Sequence, residues 1–364
     1  MAPEFIGMIH HRQASEIHPA TGPILDRGYI KDFANAAQAG GFDRLLVGYH
    51  SDAPDGFLVA ALAASHTDRI GYLVAHRPGF VAPTVAARKF ATLDQITGGR
   101  AAIHVISGGD DVDQARDGDY LGKDDRYART DEYVGILKRI WTEQGPISHK
   151  GTYYQFDGAS TAVNSLQQPR IPIYFGGASE AAVQVAGKHA DVFALWGETY
   201  AQVREITARV RAAAAQHNRS VRFSLSLRPI LAETEDAAWE RADRIKQRII
   251  ELRAKAGLGP RNPANEGSRR LLAAAAEGER QDKRLWFGAA KLTGAAGNST
   301  ALVGTPDQVA DALLDYWDLG VTTFLIRGFD PLEDAIAYGR DLLPRTKALI
   351  AARVAGQAAA RAAA

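Results

Sequence analysis

A closed (β/α)8 barrel is the fold class this sequence predicts, on three observations. Eight short apolar runs rich in β-forming residues punctuate the chain. Segments with helical periodicity separate most of them. The two kinds alternate in order along the chain, which points to parallel strands joined by crossover helices. A doubly wound open sheet is the competing layout.

The predicted strands are Phe5–Ile9, Arg44–Gly48, Ile70–Ala75, Ala101–Ile106, Ile171–Phe175, Val192–Trp196, Arg222–Ile230 and Thr322–Arg327. Helical patterns cover Ile30–Ala39, Val85–Ile96, Tyr127–Trp141, Glu180–His189 and Tyr200–Gln216. Residues 107–125 are polar and Gly-rich and read as an active-site loop. Residues 232–300 read as an insertion between strands seven and eight, within a single domain spanning 1–364. The insertion opens with a charged helix, Glu233–Ala256. It closes on the Gly/Ala-rich stretch GAAKLTGAAGNST, expected to be mobile. The tail, 345–364, is Ala-rich and basic and reads as a helix or a frayed end.

The 364 residues are 46% hydrophobic and 23% charged, enough for a sizeable core and of a length that barrels with insertions reach as one domain. A net charge of +1 gives no argument for nucleic acid or an anionic membrane. The absence of cysteine excludes disulfides, thiolate catalysis and zinc–thiolate sites. Neither a signal-peptide run nor a membrane span is seen, so a soluble cytoplasmic protein is expected.

In parallel barrels, chemistry sits at the C-terminal strand ends. Those ends offer His10 and His11, then His50, His76, His104 with Ser107, Trp196, and Arg327. On strand seven, RFSLSLRPI, side chains alternate faces, placing Ser224, Ser226 and Arg228 together. An arginine inside a barrel mouth needs an anion, supplied by substrate or by a loop carboxylate; both stay open. The run Tyr174-Phe175-Gly176-Gly177-Ala178-Ser179-Glu180 is a strand end, a glycine turn and a helix start. Free N–H groups there suit a phosphate; a plain N-cap by Ser179 is the alternative. No G-x-G-x-x-G or Walker loop is present, so no nicotinamide or ATP module is expected. Metal-ligand spacing is also lacking; His10 and His11, adjacent on a strand, point apart.

Six blocks, PTVAARKFATLDQITGGR (83–100), HVISGGD (104–110), DRYARTDEYVGILKRIW (125–141), PIYFGGASEAA (172–182), DVFALWGE (191–198) and ALVGTPDQVADAL (301–313), resemble the bacterial-luciferase-like flavin monooxygenases, most closely the alkanesulfonate branch. The resemblance runs in order over nearly the whole chain. It implies a TIM-like barrel with insertions. It also implies reduced FMN from a separate NAD(P)H:FMN reductase, O2 as co-substrate, and a homodimer or homotetramer. In the sulfonate branch a carbon beside sulfur is oxygenated, and sulfite and an aldehyde leave.

Carried over by position, the resemblance implies FMN phosphate at Gly177, Ala178 and Ser179, with Tyr127 and Arg126 reaching it. His104 and Ser107 fall at the ring system, and His50 and His76 where flavin-facing residues are expected. His10, His11, Trp196 and Arg228 are the catalytic candidates, although core packing is the alternative for Trp196 and for each histidine alone. Ser226, Lys291, Arg327 and Phe329 are the substrate candidates. The chain also departs from the branch. Ser226 and Arg228 stand where an Arg and a His are usual, Phe329 for Tyr, Thr293 for a loop Arg, and Ala53 for a Cys found in some members. The flavin half therefore reads as kept and the substrate half as rewritten. A sulfone, a sulfonated sugar or another small polar molecule is compatible. A deazaflavin-dependent hydride-transfer enzyme is the rival activity, and a non-catalytic flavin-binding barrel the rival without one.

Overall fold

In the computed structural model, eight parallel strands close into a ring. The residues described are 2–259, 263, 265–297 and 299–363. The ring strands are β1 (Glu4–Ile9), β2 (Arg44–Val47), β3 (Gly71–His76), β4 (Ala101–Val105), β5 (Ile173–Gly176), β6 (Val192–Trp196), β7 (Arg222–Leu231) and β8 (Val321–Ile326). Each pairs with its sequence neighbours, and β8 closes onto β1. The open doubly wound sheet is thereby excluded.

Period-two alternation divides each strand between two cores. Inward residues Ile6, Leu46, Leu73, Ala75, Ala102, Tyr174, Val192 and Leu325 fill the barrel. Near the strand starts, Glu4 accepts from Tyr174, Arg44 and Thr323 at 2.9, 2.8 and 3.1 Å, so this half-buried carboxylate is paired, as partial burial demands. Outward residues such as Phe5, Tyr72, Val74, Phe175 and Phe193 pack under the surrounding helices. Those helices follow the strands in turn. Examples are Arg27–Ala39, Pro83–Thr97, Lys123–Thr142, Glu180–His189 and Tyr200–Ala215.

Two regions differ from the sequence expectation. Residues 107–125 are not wholly loop: Asp110 caps a short helix, Asp111–Arg116, and the next helix already starts at Lys123. Of the stretch expected to be mobile, 288–300, residues 288–295 are instead ordered into a packed helix end, and Asn298 lies outside the described residues. Gly288–Thr293 is helical, Ala289, Ala290 and Ala295 are buried, and Ser268 donates to the Ala295 carbonyl at 2.8 Å. Alanine and glycine here permit close packing of the helix against Glu266–Glu277 rather than disorder. The strand Ala301–Gly304 explains why β7 is ten residues long. The first half of β7 pairs with β6 and β8, whereas Arg228–Leu231 pairs with Ala301–Gly304. A hairpin, Ile147–Lys150 with Gln155–Ala159, carried no sequence expectation. Leu343–Ala363 is helical. Among the described residues no helix is long and apolar enough to cross a membrane.

Candidate active site

A cavity of about 350 Å³ opens at the C-terminal ends of β3 to β6, within the range of small-molecule sites. The phosphate-type turn forms one end. Gly177 has φ +149°, and a Cβ there would lie 2.7 Å from the Ala182 Cβ and 3.0 Å from the Tyr127 hydroxyl. Only glycine fits this close approach. Ser179 caps the helix Glu180–His189 by accepting from the Ala182 N–H at 3.3 Å. Tyr127 closes over this turn; burial raises its pKa and a hydrogen bond with Ser179 opposes the rise.

Cations flank the same end. Arg126 is buried, donating to the Leu121 carbonyl at 2.6 Å and to Asp111 at 2.7 Å, while its Nε has no partner. Lys123, at the start of the same helix, is exposed and also lines the cavity. A helix start with free N–H groups beside two cations has the chemistry of a phosphate cradle.

The deeper part is less polar. His104 faces in from β4 beside Gly176, and its Nδ1 is buried without a partner. Burial lowers its pKa to about 4, so it is neutral near pH 7. Ser107 lies 3.0 Å from the Thr130 hydroxyl and is held further by Gln114, which donates to its carbonyl at 3.2 Å. Trp196 forms the wall from β6. The insertion supplies a roof: Gly267 comes so close that a Cβ there would sit 3.4 Å from the Trp196 ring, and Asn265 packs on Gly109. A neutral imidazole nitrogen without a partner, an indole face and apolar walls suit a flat heteroaromatic ring with polar edges. The residues present thus fit a flavin mononucleotide in both its parts.

Residues 4–323 match the luciferase-like monooxygenase family. The chain belongs to this family. Its fold is similar to EDTA monooxygenase (EmoA) from Chelativorans sp. BNC1, with 19% identity, TM-score 0.78, and coverage of 96% of this chain and 94% of that one. DmoA from Hyphomicrobium sulfonivorans is similar at 22% identity and TM-score 0.76, over 94% and 87% of the two chains. So is the coenzyme F420 dependent tetrahydromethanopterin reductase from Methanopyrus kandleri, at 19% and TM-score 0.68, over 95% and 99%. At such identities the likeness speaks for the fold alone.

Of the residues the sequence singled out, the cavity of this luciferase-like barrel brings together His104, Ser107, Arg126, Tyr127, Gly177, Ala178, Ser179 and Trp196. His76 is not among them. Its ring points outward between Phe57 and Phe90, with Nε2 2.7 Å from the Tyr133 hydroxyl, and burial lowers its pKa to about 3. Strand alternation is the reason: Tyr72, Val74 and His76 share the outer face of β3, so Arg77 takes the inward place. Arg77 lines the cavity, lies 4.6 Å over the Tyr49 ring, and is ion-paired with Asp113. The same period-two count on β3 would have found it. Lys123, Asn265 and Gly267 carried no local signal.

Of the other candidates, Arg228, Ser226, Arg327, Phe329, His10 and His11 stand on the opposite wall of the mouth, at β7, β8 and β1. Arg228 has no exposed surface. It donates to Glu16 at 2.7 Å and to the Gly328 carbonyl at 2.9 Å, and its guanidinium lies 3.4 Å over the Phe329 ring. The loop carboxylate, the alternative the sequence left open, is thus present as Glu16. Phe329 is fully buried. Arg327 donates to the other Glu16 oxygen at 2.7 Å. Burial pushes the Glu16 pKa up, but Arg228 and Arg327 outweigh this and hold it below the ordinary carboxylate range. His10 faces the group; burial first, then Arg327, lower its pKa to about 3. His11 is half-buried, and burial and Arg12 lower its pKa. His50 is exposed, and Ser226 is half-buried beside Trp196 in register. Lys291 is exposed in the last turn of Gly288–Thr293, away from both groups' contacts. No cluster of three or more His, Asp or Glu suited to a metal occurs among the described residues.

Proposed function

We propose that this protein is a two-component monooxygenase that takes reduced FMN from a separate reductase and uses O2 to oxygenate a small organosulfur compound, a sulfonate split to sulfite and an aldehyde. The observation that carries the reading is the single cavity joining a glycine-turn helix start and two cations to a neutral buried histidine and a tryptophan, in a luciferase-like chain. Gly177, Ala178, Ser179, Tyr127, Arg126 and Lys123 would hold the phosphate; His104, Ser107, Arg77 and Trp196 would surround the ring. When bound, the reduced flavin supplies the two electrons with which O2 is activated.

The chain's own work is positioning and exclusion of water. The Gly267–Asn265 roof and the apolar faces of Phe193, Leu195 and Ile106 keep bulk water off the ring side. His104, held neutral, presents a nitrogen free to donate or accept at its Nδ1. Absence of a dinucleotide fingerprint supports delivery by a partner reductase, and a homodimer or homotetramer is part of the same proposal.

The test is to combine the protein with an FMN reductase, NADH and O2 and screen for sulfite release. The panel holds short and long alkanesulfonates, sulfonated sugars and dimethyl sulfone. Sulfite from a member is the expected result and names the substrate. An oxygenated product without sulfite would keep the monooxygenase and remove the sulfonate. No substrate-dependent O2 use, with hydride transfer from a reduced deazaflavin, would overturn the reading.

A further inference from the structure

Arg228, Glu16 and Arg327 form a chain of two arginines joined by one carboxylate, across the mouth from the cofactor-type cavity. The two arginines are not equivalent. Arg228 is wholly buried, spends Nη1 on Glu16 and Nη2 on Gly328, has a buried Nε without a partner, and is stacked on Phe329. Arg327 is at the open side, with 16% of its side chain exposed. Its Nη2 is spent on Glu16, whereas Nη1 meets only the Met8 sulfur at 3.8 Å. Two guanidiniums and one carboxylate leave a net positive charge, and that charge is accessible only on Arg327.

Glu16 cannot move freely. It lies in the irregular segment between β1 and the helix starting at Arg27. Its neighbour Ser15 donates to the Phe329 carbonyl at 2.6 Å and His18 pairs with Asp330. The segment is therefore pinned to the loop that follows β8, on both sides of Glu16. A carboxylate held this way fixes the plane of an arginine fork that it shares.

We infer that Arg327 is the residue that meets an anionic group on the substrate, and that Glu16 and Arg228 are the positioning residues that aim it. The sequence already placed Arg327 among the substrate candidates and left the anion of Arg228 open; the aiming role of Glu16 and Arg228 goes beyond it, and the whole rests on the reading of this mouth as the substrate side. Arg228 acts through Glu16 and touches no ligand. His10, neutral beside Arg327, leaves the positive charge of the site on that one side chain.

The test uses methanesulfonate as the probe and calorimetric titration of the full chain, with oxidised FMN binding measured in parallel by fluorescence quenching. Arg327→Gln should weaken methanesulfonate binding at least tenfold while FMN binding stays unchanged. Arg327→Lys, which keeps the charge but loses the fork, should fall between. Glu16→Gln should weaken the probe severalfold. It should also raise amide exchange in residues 11–18, because Arg327 is no longer held. Native-like binding by Arg327→Gln overturns the inference. So does tighter binding by Glu16→Gln, which would make Glu16 a competitor and not a guide. Absence of methanesulfonate binding by the native chain also overturns it, and leaves the cofactor assignment, read by FMN, standing.

Discussion

The two walls of the barrel mouth are built by different means. The β3–β6 wall is made of backbone: a glycine at φ +149°, a capped helix start, and donors left without partners. The β7–β8–β1 wall is made chiefly of paired charges, with Arg228 and Arg327 both bonded to Glu16, although the buried Arg228 Nε has no partner and Arg327 Nη1 meets only the Met8 sulfur. The first is open and poised for an external ligand. The second is internally neutralised except at one edge. A wall that leaves groups unpaired is readied for binding; a wall that pairs them is chiefly holding its own shape.

Breaking the second wall should cost the most. Arg228→Ala leaves Glu16 with one partner and a void beneath it. Stability should drop by about 3–5 kcal/mol, read by urea unfolding, with FMN binding of the folded fraction intact. A loss under about 1 kcal/mol would deny that this arginine is structural.

The first wall should fail by binding and not by folding. Gly177→Val meets Ala182 and Tyr127 in a conformation that favours glycine. FMN affinity should fall about a hundredfold, roughly 2.8 kcal/mol, with little change in the unfolding midpoint. An unchanged dissociation constant would remove the phosphate cradle from this turn.

Acid sharpens the contrast further. His76, His104 and His10 have pKa values lowered to about 3, 4 and 3 from 6.5. Depressed histidines bind fewer protons folded than unfolded, so their contribution is full above about pH 6.5 and is lost as pH falls toward the folded values. Stability should decline through that window. His76→Phe, outside the cavity, should flatten the decline between pH 7 and 5 by about 2 kcal/mol and leave FMN binding unaltered. A decline as steep as the native chain's would contradict the assignment.

The smallest effect is expected at Asp111, whose side chain is 80% exposed while it pairs with Arg126. Asp111→Asn frees the arginine for an incoming phosphate. FMN binding should tighten by less than about fivefold, in line with the ~0–1 kcal/mol of exposed pairs. Weakened binding would mean that Asp111 orients Arg126 instead.

The same division explains what could be read in the sequence. All eight barrel strands are legible because apolar alternation and βα order are local signals. The Gly177–Ser179 turn is legible for the same reason, as a strand, a turn and a helix start within a few residues. Glu16 is not: it meets Arg228 across 212 positions of chain, and nothing local marks which loop carboxylate an inward arginine will find. His76 illustrates a signal present but unused, since its parity with Tyr72 and Val74 already turns it outward. The 288–300 stretch shows the converse. Its glycines and alanines read as looseness, but small side chains equally allow close packing, and the neighbouring helix decides between the two.

The most direct measurement is an anaerobic titration of the native chain with reduced FMN, followed by the Gly177→Val variant. The account predicts saturable binding of one reduced FMN per chain, lost in the variant. Absence of saturable binding by the native chain, with tight binding of a reduced deazaflavin instead, would contradict it.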